Sequence, residues 1–363
     1  MDTHATGQEV PPTLSHGDRA TPSRGWTGWH RVVRSLNPGV FAFVMATGIV
    51  STALHSDGRS VVSDALLVVG ALGYVALIMV SGARLLRWPQ EMAADVVSPR
   101  GFAFLTFGAA SDVLATRLAL GELWWPAAVL LAVGALAWLV LGYGVPLGLI
   151  ADGRRHPSLG QVNGTWFIWV VGTQSVAVAA STLAPHTLTA ALTGAATACW
   201  AIGLVLYVLM AGIGLARLLV SPVAARDLVP AYWVFMGAAA ITILAGAKLA
   251  ALPHALVSRG LFTDTSLVLW AFCTWLIPLL LALGVWRHVV RRVPLRYETA
   301  LWSMVFPIGM YGVASAQLGH AAGAHWLIAF GDDEGWVALA VWLVVFVSMI
   351  VSGGRWLRGY TNE

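Results

Sequence analysis

Long apolar runs recur along the chain, separated by short polar or basic stretches. The pattern predicts ten helices, at 37–55, 62–86, 101–120, 123–150, 163–184, 188–220, 229–251, 264–288, 299–320 and 335–358. Each is near the roughly 20 residues that cross a hydrocarbon core of about 30 Å. None shows the dyad alternation of barrel strands, and backbone groups in lipid must be satisfied within their own segment. The expected fold class is therefore an all-α integral membrane protein.

The runs alternate in character. Even-numbered segments such as 123–150 and 335–358 are rich in Leu, Val and Trp and read as lipid-facing. Odd-numbered segments carry small and polar residues, among them Thr47, Gly48, Ser51, Gly108, Asp112, Gln174, Ser181, Gly237, Thr242, Ser303 and Gln317. Polar groups avoid lipid and small residues let helices approach closely, so the odd segments read as an inner ring. The alternation predicts five helical hairpins around a central axis.

Composition and charge sharpen this picture. With 58% hydrophobic and 10% charged residues, the chain is far from the roughly 25% charged content of a soluble domain. Of 21 lysines and arginines, all but Arg59, Arg117, Lys248 and Arg259 fall on the side of the N-terminus. By the positive-inside rule that side is cytoplasmic, with both termini there, in a plasma membrane. The net charge of +4 follows from these loops, so no nucleic-acid partner is expected. Residues 1–34 are polar, lack the apolar core of a signal peptide and read as a disordered tail, leaving 35–360 as one transmembrane domain. Cys199 and Cys273 lie in apolar runs and suggest neither a disulfide nor a metal motif.

Candidate chemistry concentrates on the odd segments. In the ninth, Ser303, Phe306, Met310, Ala314 and Gln317 share one stripe by helical spacing, and Pro307 with Gly309 and Gly312 predicts a kink beside Phe306. From the residues alone Phe306 reads first as ordinary packing, and the stripe does not overturn that reading. In the first, Val40, Val44, Thr47 and Ser51 form a face that suits either a pore lining or a helix contact. Leu105, Gly108 and Asp112 in the third segment, Gln174 in the fifth and Thr242 in the seventh complete the expected lining. Lys248 and Arg117 stand near the outer ends of their segments and read either as interfacial anchors or as attractors of anions. Asp112 is the intramembrane carboxyl, a functional candidate by cost alone. His55, His186, His254, His320 and His325 map to the outer side, with no spacing that specifies a zinc site, and no cofactor is expected.

Several short stretches carry a resemblance. They are Asn37 to Ile49 (NPGVFAFVMATGI); Asn163-Gly164-Thr165-Trp166 with Gln174; Pro230-Ala231-Tyr232-Trp233 with Met236-Gly237; and Trp302-Ser303 with Phe306 to Tyr311. On these the chain resembles the tellurite-resistance and dicarboxylate transporter family, which includes plant slow anion channels. The resemblance implies ten helices in five hairpins around a quasi-five-fold pore, in a homotrimer with one pore per subunit. It implies small anionic substrates: malate-like dicarboxylates, sulfite, tellurite, nitrate or chloride. It also makes Phe306 the pore gate. The opening helix, Val44-Met45-Ala46-Thr47-Gly48, is closer to the bacterial transporter-like members than to the channels.

The function expected is passage of small anions across the membrane, and not catalysis. Rival readings are a proton-coupled carrier using Asp112, a membrane redox enzyme using the outer histidines, and a non-transporting subunit.

Overall fold

The computed structural model describes residues 30–151, 158–253 and 256–361; the tail expected over 1–34 lies outside these except for a helical turn at 30–34. The principal helices are α1 (Ala42–Ser56), α2 (Ser60–Arg87), α3 (Thr106–Leu120), α4 (Trp124–Ala151) and α5 (Ile168–Leu183). They continue as α6 (Thr189–Val220), α7 (Val234–Ala251), α8 (Arg259–Val285), α9 (Trp302–Ala322) and α10 (His325–Thr361). Among the described residues, nine helical segments are long and apolar enough to cross a membrane, and α1 is shorter at 15 residues.

Consecutive helices pair as hairpins, and α1, α3, α5, α7 and α9 pack against one another in cyclic order, α9 closing on α1. The inner and outer sets differ as expected: 61–89% of the inner spans from the third segment onward is buried, against 17–39% of the outer spans. Two solvents explain this. Lipid accepts a long Leu- and Val-rich surface, whereas the ring interior needs small residues for close approach.

A cyclic set of polar contacts ties each outer helix to the inner helix of the next hairpin. Tyr74 of α2 bonds Ser111 of α3 (2.7 Å), Trp138 of α4 donates to Thr173 of α5 (2.8 Å), and Trp200 of α6 donates to the Thr242 carbonyl of α7 (3.2 Å). Trp270 of α8 donates to Ser315 of α9 (2.9 Å), and Trp342 of α10 donates to Thr47 of α1 (3.0 Å). All five inner hydroxyls also donate to the carbonyl one turn back. The repeat is written in the chain. Thr47 and Tyr74, Ser111 and Trp138, Thr173 and Trp200, and Ser315 and Trp342 are each 27 residues apart, and Thr242 and Trp270 are 28 apart. An aromatic N–H or O–H buried between helices needs an acceptor, and a serine or threonine already folded onto its own helix supplies one.

Joints between hairpins on the basic side are clamped by arginines. Arg84 reaches Asp95 at 2.6 Å and the carbonyls of Arg34 and Leu36. Arg217 approaches Asp227 at 3.8 Å and bonds the carbonyls of Gly160 and Pro222. Arg287 reaches Glu298 at 3.4 Å and the Leu228 carbonyl.

Three boundaries differ from expectation. The last helix starts at His325, not near 335, because Asp332, Asp333 and Glu334, which read as a loop, lie within its early turns. The eighth starts at Arg259, capped by the Ser258 hydroxyl at 3.3 Å. The first starts at Ala42 because Asn37 and Gly39 form a turn, the Gly39 amide donating to Asn37 Oδ1 at 2.9 Å. A short amphipathic helix, Pro89–Val96, fills the joint after α2.

Candidate functional site

The inner helices run parallel, so their N-terminal ends gather on the basic side. Four of them are entered through a 3-10 turn: Gly101–Leu105, Gly164–Phe167, Pro230–Trp233 and Thr299–Leu301. Before α1 the chain makes tight turns at 37–42. Local signals set these entries. Asn163 accepts from the Thr165 amide at 2.9 Å, Pro230 has no amide to leave unpaired at a first helical position, and the Thr106 hydroxyl folds onto the Ala103 carbonyl at 2.7 Å.

These turns surround a small cavity of about 50 Å³ on the ring axis, lined from all five inner elements by Asn37, Gly39, Ala103, Thr106, Thr165, Ile168, Ala231, Val234, Thr299, Ala300 and Ser303. Among the described residues the Ser303 hydroxyl has no protein partner. The cavity opens onto a polar vestibule of about 440 Å³ that includes Arg100, Arg217, Arg226, Asp227 and Glu298. Five helix N-termini place partial positive charge here, which favours anions.

Toward the other end a second cavity of about 50 Å³ again draws on all five inner helices. It is lined by Ile49, Thr52 and Ser56; Asp112, Val113, Thr116 and Leu120; Ser175 and Val178; Ile241, Leu244 and Lys248; and Met310, Val313 and Gln317. Most of its hydroxyls are spent: Thr52 donates to Gly48, Thr116 to the Asp112 carbonyl, and Ser175 to Asp112 Oδ2 at 2.7 Å. Asp112 Oδ1 is buried without a partner. It lies against α4, where a Cβ at Gly134 would collide with it. Among the described residues, Lys248 forms no ion pair and Gln317 no hydrogen bond, so this cavity presents one free ammonium and one free amide.

Between the cavities the lining narrows. Helical spacing from the lining residues above and below puts Met45, Ala109, Val171, Gly237 and Phe306 at one level, one from each inner helix, all buried. The one large ring at this level is Phe306, beside an alanine, a glycine, a valine and a methionine from the other four inner helices. Pro307 behind it packs on Gly237 of α7.

The expected site residues divide. Asp112, Met310, Gln317 and Lys248 line the outer cavity, and Ser303 lines the inner one. The remaining expected lining is turned away from both cavities. Thr47 and Thr242 belong to the cyclic contacts with Trp342 and Trp200, and Val44 is fully buried off the cavity face. Ser51 and Arg117 instead join Ser63 and Asp64 of α2, with Arg117 Nη2 at 2.7 Å from Asp64 Oδ1. That ion pair occupies Arg117, which is 2% exposed, so it is not a free attractor of anions. Leu105 packs on Gly172, Gly108 faces the Gly134 carbonyl, and Gln174 donates to the Trp200 carbonyl at 3.1 Å. The buried polar groups found partners on outer helices, though Gln174 Oε1 is left without one, and Gly108 took a helix contact.

Sequence reasoning missed Asn37, Thr52, Thr106, Thr116, Thr165 and Ser175. The signal was the phase of the third-segment carboxyl: the cavity stripe of α3 is set by Asp112, Val113 and Thr116, and not by Gly108. Of the outer histidines, His55 reaches the Leu120 carbonyl at 3.2 Å and His186 stacks on Trp124 at 3.7 Å, while His254 lies outside the described residues. No group of three or more His, Cys, Asp or Glu among the described residues is arranged to hold a metal.

Comparison with known proteins agrees with this architecture. The chain is 54% identical over 148 residues to an uncharacterized membrane protein of Mycobacterium tuberculosis, covering 40% of this chain and 75% of that one. Over 340 residues it is 22% identical to an uncharacterized transporter of Methanocaldococcus jannaschii, covering 88% of this chain and 95% of the relative. A second uncharacterized transporter from that organism is 23% identical over 332 residues, 87% of this chain and 93% of its own length. The family model described as voltage-dependent anion channel matches residues 35–350, from the turn before α1 into α10. A multi-helix membrane protein whose inner helices enclose axial cavities thus belongs, over nearly its whole described length, to the voltage-dependent anion channel family.

Proposed function

We propose that this protein conducts small anions along the axis of its five inner helices and that Phe306 closes the path. The observation that carries the reading is the pair of axial cavities, each lined by all five inner elements, with the level of Phe306 between them. Anions enter from the basic vestibule, where helix N-termini attract them, and pass Ser303. Beyond the phenylalanine they meet Lys248 and Gln317. Neither cavity offers a cluster of cations, so binding stays weak enough for release, as conduction requires.

The substrates in this reading are malate-like dicarboxylates or small inorganic anions such as sulfite, tellurite, nitrate or chloride. Resemblance to the family supports that range, and the small cavity volumes favour its smaller members. The basic end faces the cytoplasm of a plasma membrane with both termini there, as the placement of Lys and Arg supports. The homotrimer carried over from the resemblance gives three independent pores.

The second reading is a proton-coupled carrier, favoured by one observation: Asp112 is a carboxyl lining the outer cavity, and its Oδ1, against Gly134 of α4, has no partner. The experiment that separates the two is flux in proteoliposomes, comparing malate, sulfite, nitrate and chloride with and without an imposed pH gradient. Flux that follows the anion's own electrochemical gradient supports the pore. Flux that requires the pH gradient transfers the case to the carrier, and no flux defeats both.

A further inference from the structure

The end of α8 departs from regular helix. Its last turn is a π-turn, Trp286–Val290, and Arg292 just beyond it holds φ of 52°, a left-handed backbone that a non-glycine residue adopts at a cost. This reversal folds the following strand of chain back along the helix and leaves a groove of about 370 Å³ beside α8, the turn before α7 and the start of α9. Its walls are mainly apolar, with Trp233, Leu280, Leu281 and Met304 among them, and at its rim Leu281 and Leu295 are 54% and 77% exposed. Apolar side chains this open belong against lipid.

Charge on the same loop is one-sided. Arg287 turns inward onto Glu298 and the Leu228 carbonyl, which occupies the loop's carboxylate. Arg291, Arg292 and Arg296 are exposed and form no ion pair among the described residues. Arg291 lies flat over the Trp286 ring, 4.9 Å from its centroid, an arrangement in which an indole holds a guanidinium near the membrane surface. An apolar groove with Arg287 and His288 in its lining, next to a loop that carries three unpaired guanidiniums, matches one class of molecule: acyl chains joined to a negatively charged headgroup.

We propose that this groove binds an anionic phospholipid of the leaflet on the basic side, its acyl chains beside Leu280 and Leu281 and its phosphate on Arg291, Arg292 and Arg296. The site is separate from the axial cavities and does not rest on the anion-transport reading.

The test is native mass spectrometry of the purified full chain, released from nanodiscs of equal parts phosphatidylglycerol and phosphatidylcholine. Wild-type protein is expected to retain phosphatidylglycerol over phosphatidylcholine by roughly tenfold. Combining Arg291→Gln, Arg292→Gln and Arg296→Gln should bring the ratio near one, while Arg31→Gln with Arg87→Gln, basic residues on the same face, should leave it unchanged. Leu281→Trp, which fills the groove from its exposed rim, should remove the retained lipid without altering the elution volume on size exclusion. Equal retention of both lipids by wild type, loss of preference in the Arg31/Arg87 control, or a change of oligomeric state in Leu281→Trp would overturn the proposal; the last would make the groove a subunit interface.

Discussion

Gly237 on α7 lies under the ring of Pro307 on α9, so close that a Cβ at Gly237 would stand 2.7 Å from Pro307 Cγ. Gly237 itself and Phe306, the residue before Pro307, both stand at the narrow level of the axis. This contact therefore sets how closely the two helices hold the constriction. Gly237→Ala should push α9 outward and cost about 1–3 kcal/mol, as overpacking of a filled interior does. A lowered melting temperature, together with anion leak in proteoliposomes, is the expected result; leak unchanged in a destabilised variant would separate packing from gating.

Phe306→Ala removes the one large ring at the constriction. Anion flux in proteoliposomes should rise by about tenfold or more, equivalent to lowering a barrier by about 1.4 kcal/mol. Flux equal to wild type in a monodisperse variant would remove Phe306 from the gate.

Lys248 is the free cation of the outer cavity. Lys248→Gln should raise the anion concentration for half-maximal flux several-fold, whereas Lys248→Arg should keep it near wild type, because a single desolvated charge contact contributes about 1 kcal/mol or more. Equal effects of both substitutions would point to shape and not charge.

Asp112→Asn tests the carrier reading. In the pore reading, the variant should conduct anions in a manner insensitive to a pH gradient. Loss of a pH-driven component in this variant, measured with a pH-sensitive dye inside the vesicles, would establish the carboxyl as the proton site.

Arg84→Ala breaks a clamp whose guanidinium is 5% exposed and whose partner Asp95 is 25% exposed. Removing one side of a buried pair costs about 3–5 kcal/mol, and the residual solvent around Asp95 places this case at the low end. Thermal unfolding in detergent should drop accordingly, and Arg84→Met with Asp95→Leu should recover part of the loss.

Much of the fold is legible in the sequence because lipid and protein interior select different residues, so inner and outer helices differ in composition at sight. Lining is harder to read. An inner helix is buried on every side, and no face is marked by hydrophobicity. On α9 the polar stripe from Ser303 to Gln317 lies along the cavities. On α1 the same logic chose Thr47 and Ser51, yet their hydroxyls face Trp342 and Arg117 across the helix contacts. A polar group in a membrane protein seeks a partner first, and an outer-helix indole supplies one as well as a water-filled path does. The family resemblance located the phenylalanine; the phases of α1, α3, α5 and α7 needed the structure.

The five aromatic contacts form a cycle, and one of them differs in kind. Four join residues 35 to 45 apart, whereas Trp342 and Thr47 are separated by 295. During synthesis the first four can form as each hairpin leaves the ribosome and meets its predecessor. The fifth has to wait for the last helix. Until α9 and α10 emerge the chain is an open arc whose first helix lacks both its flanking neighbour α9 and its tie to α10. Ring closure is thus a late, long-range step, made by α9 on α1 and fastened from outside by α10, and loss of α10 would leave that closing contact without its outer tie.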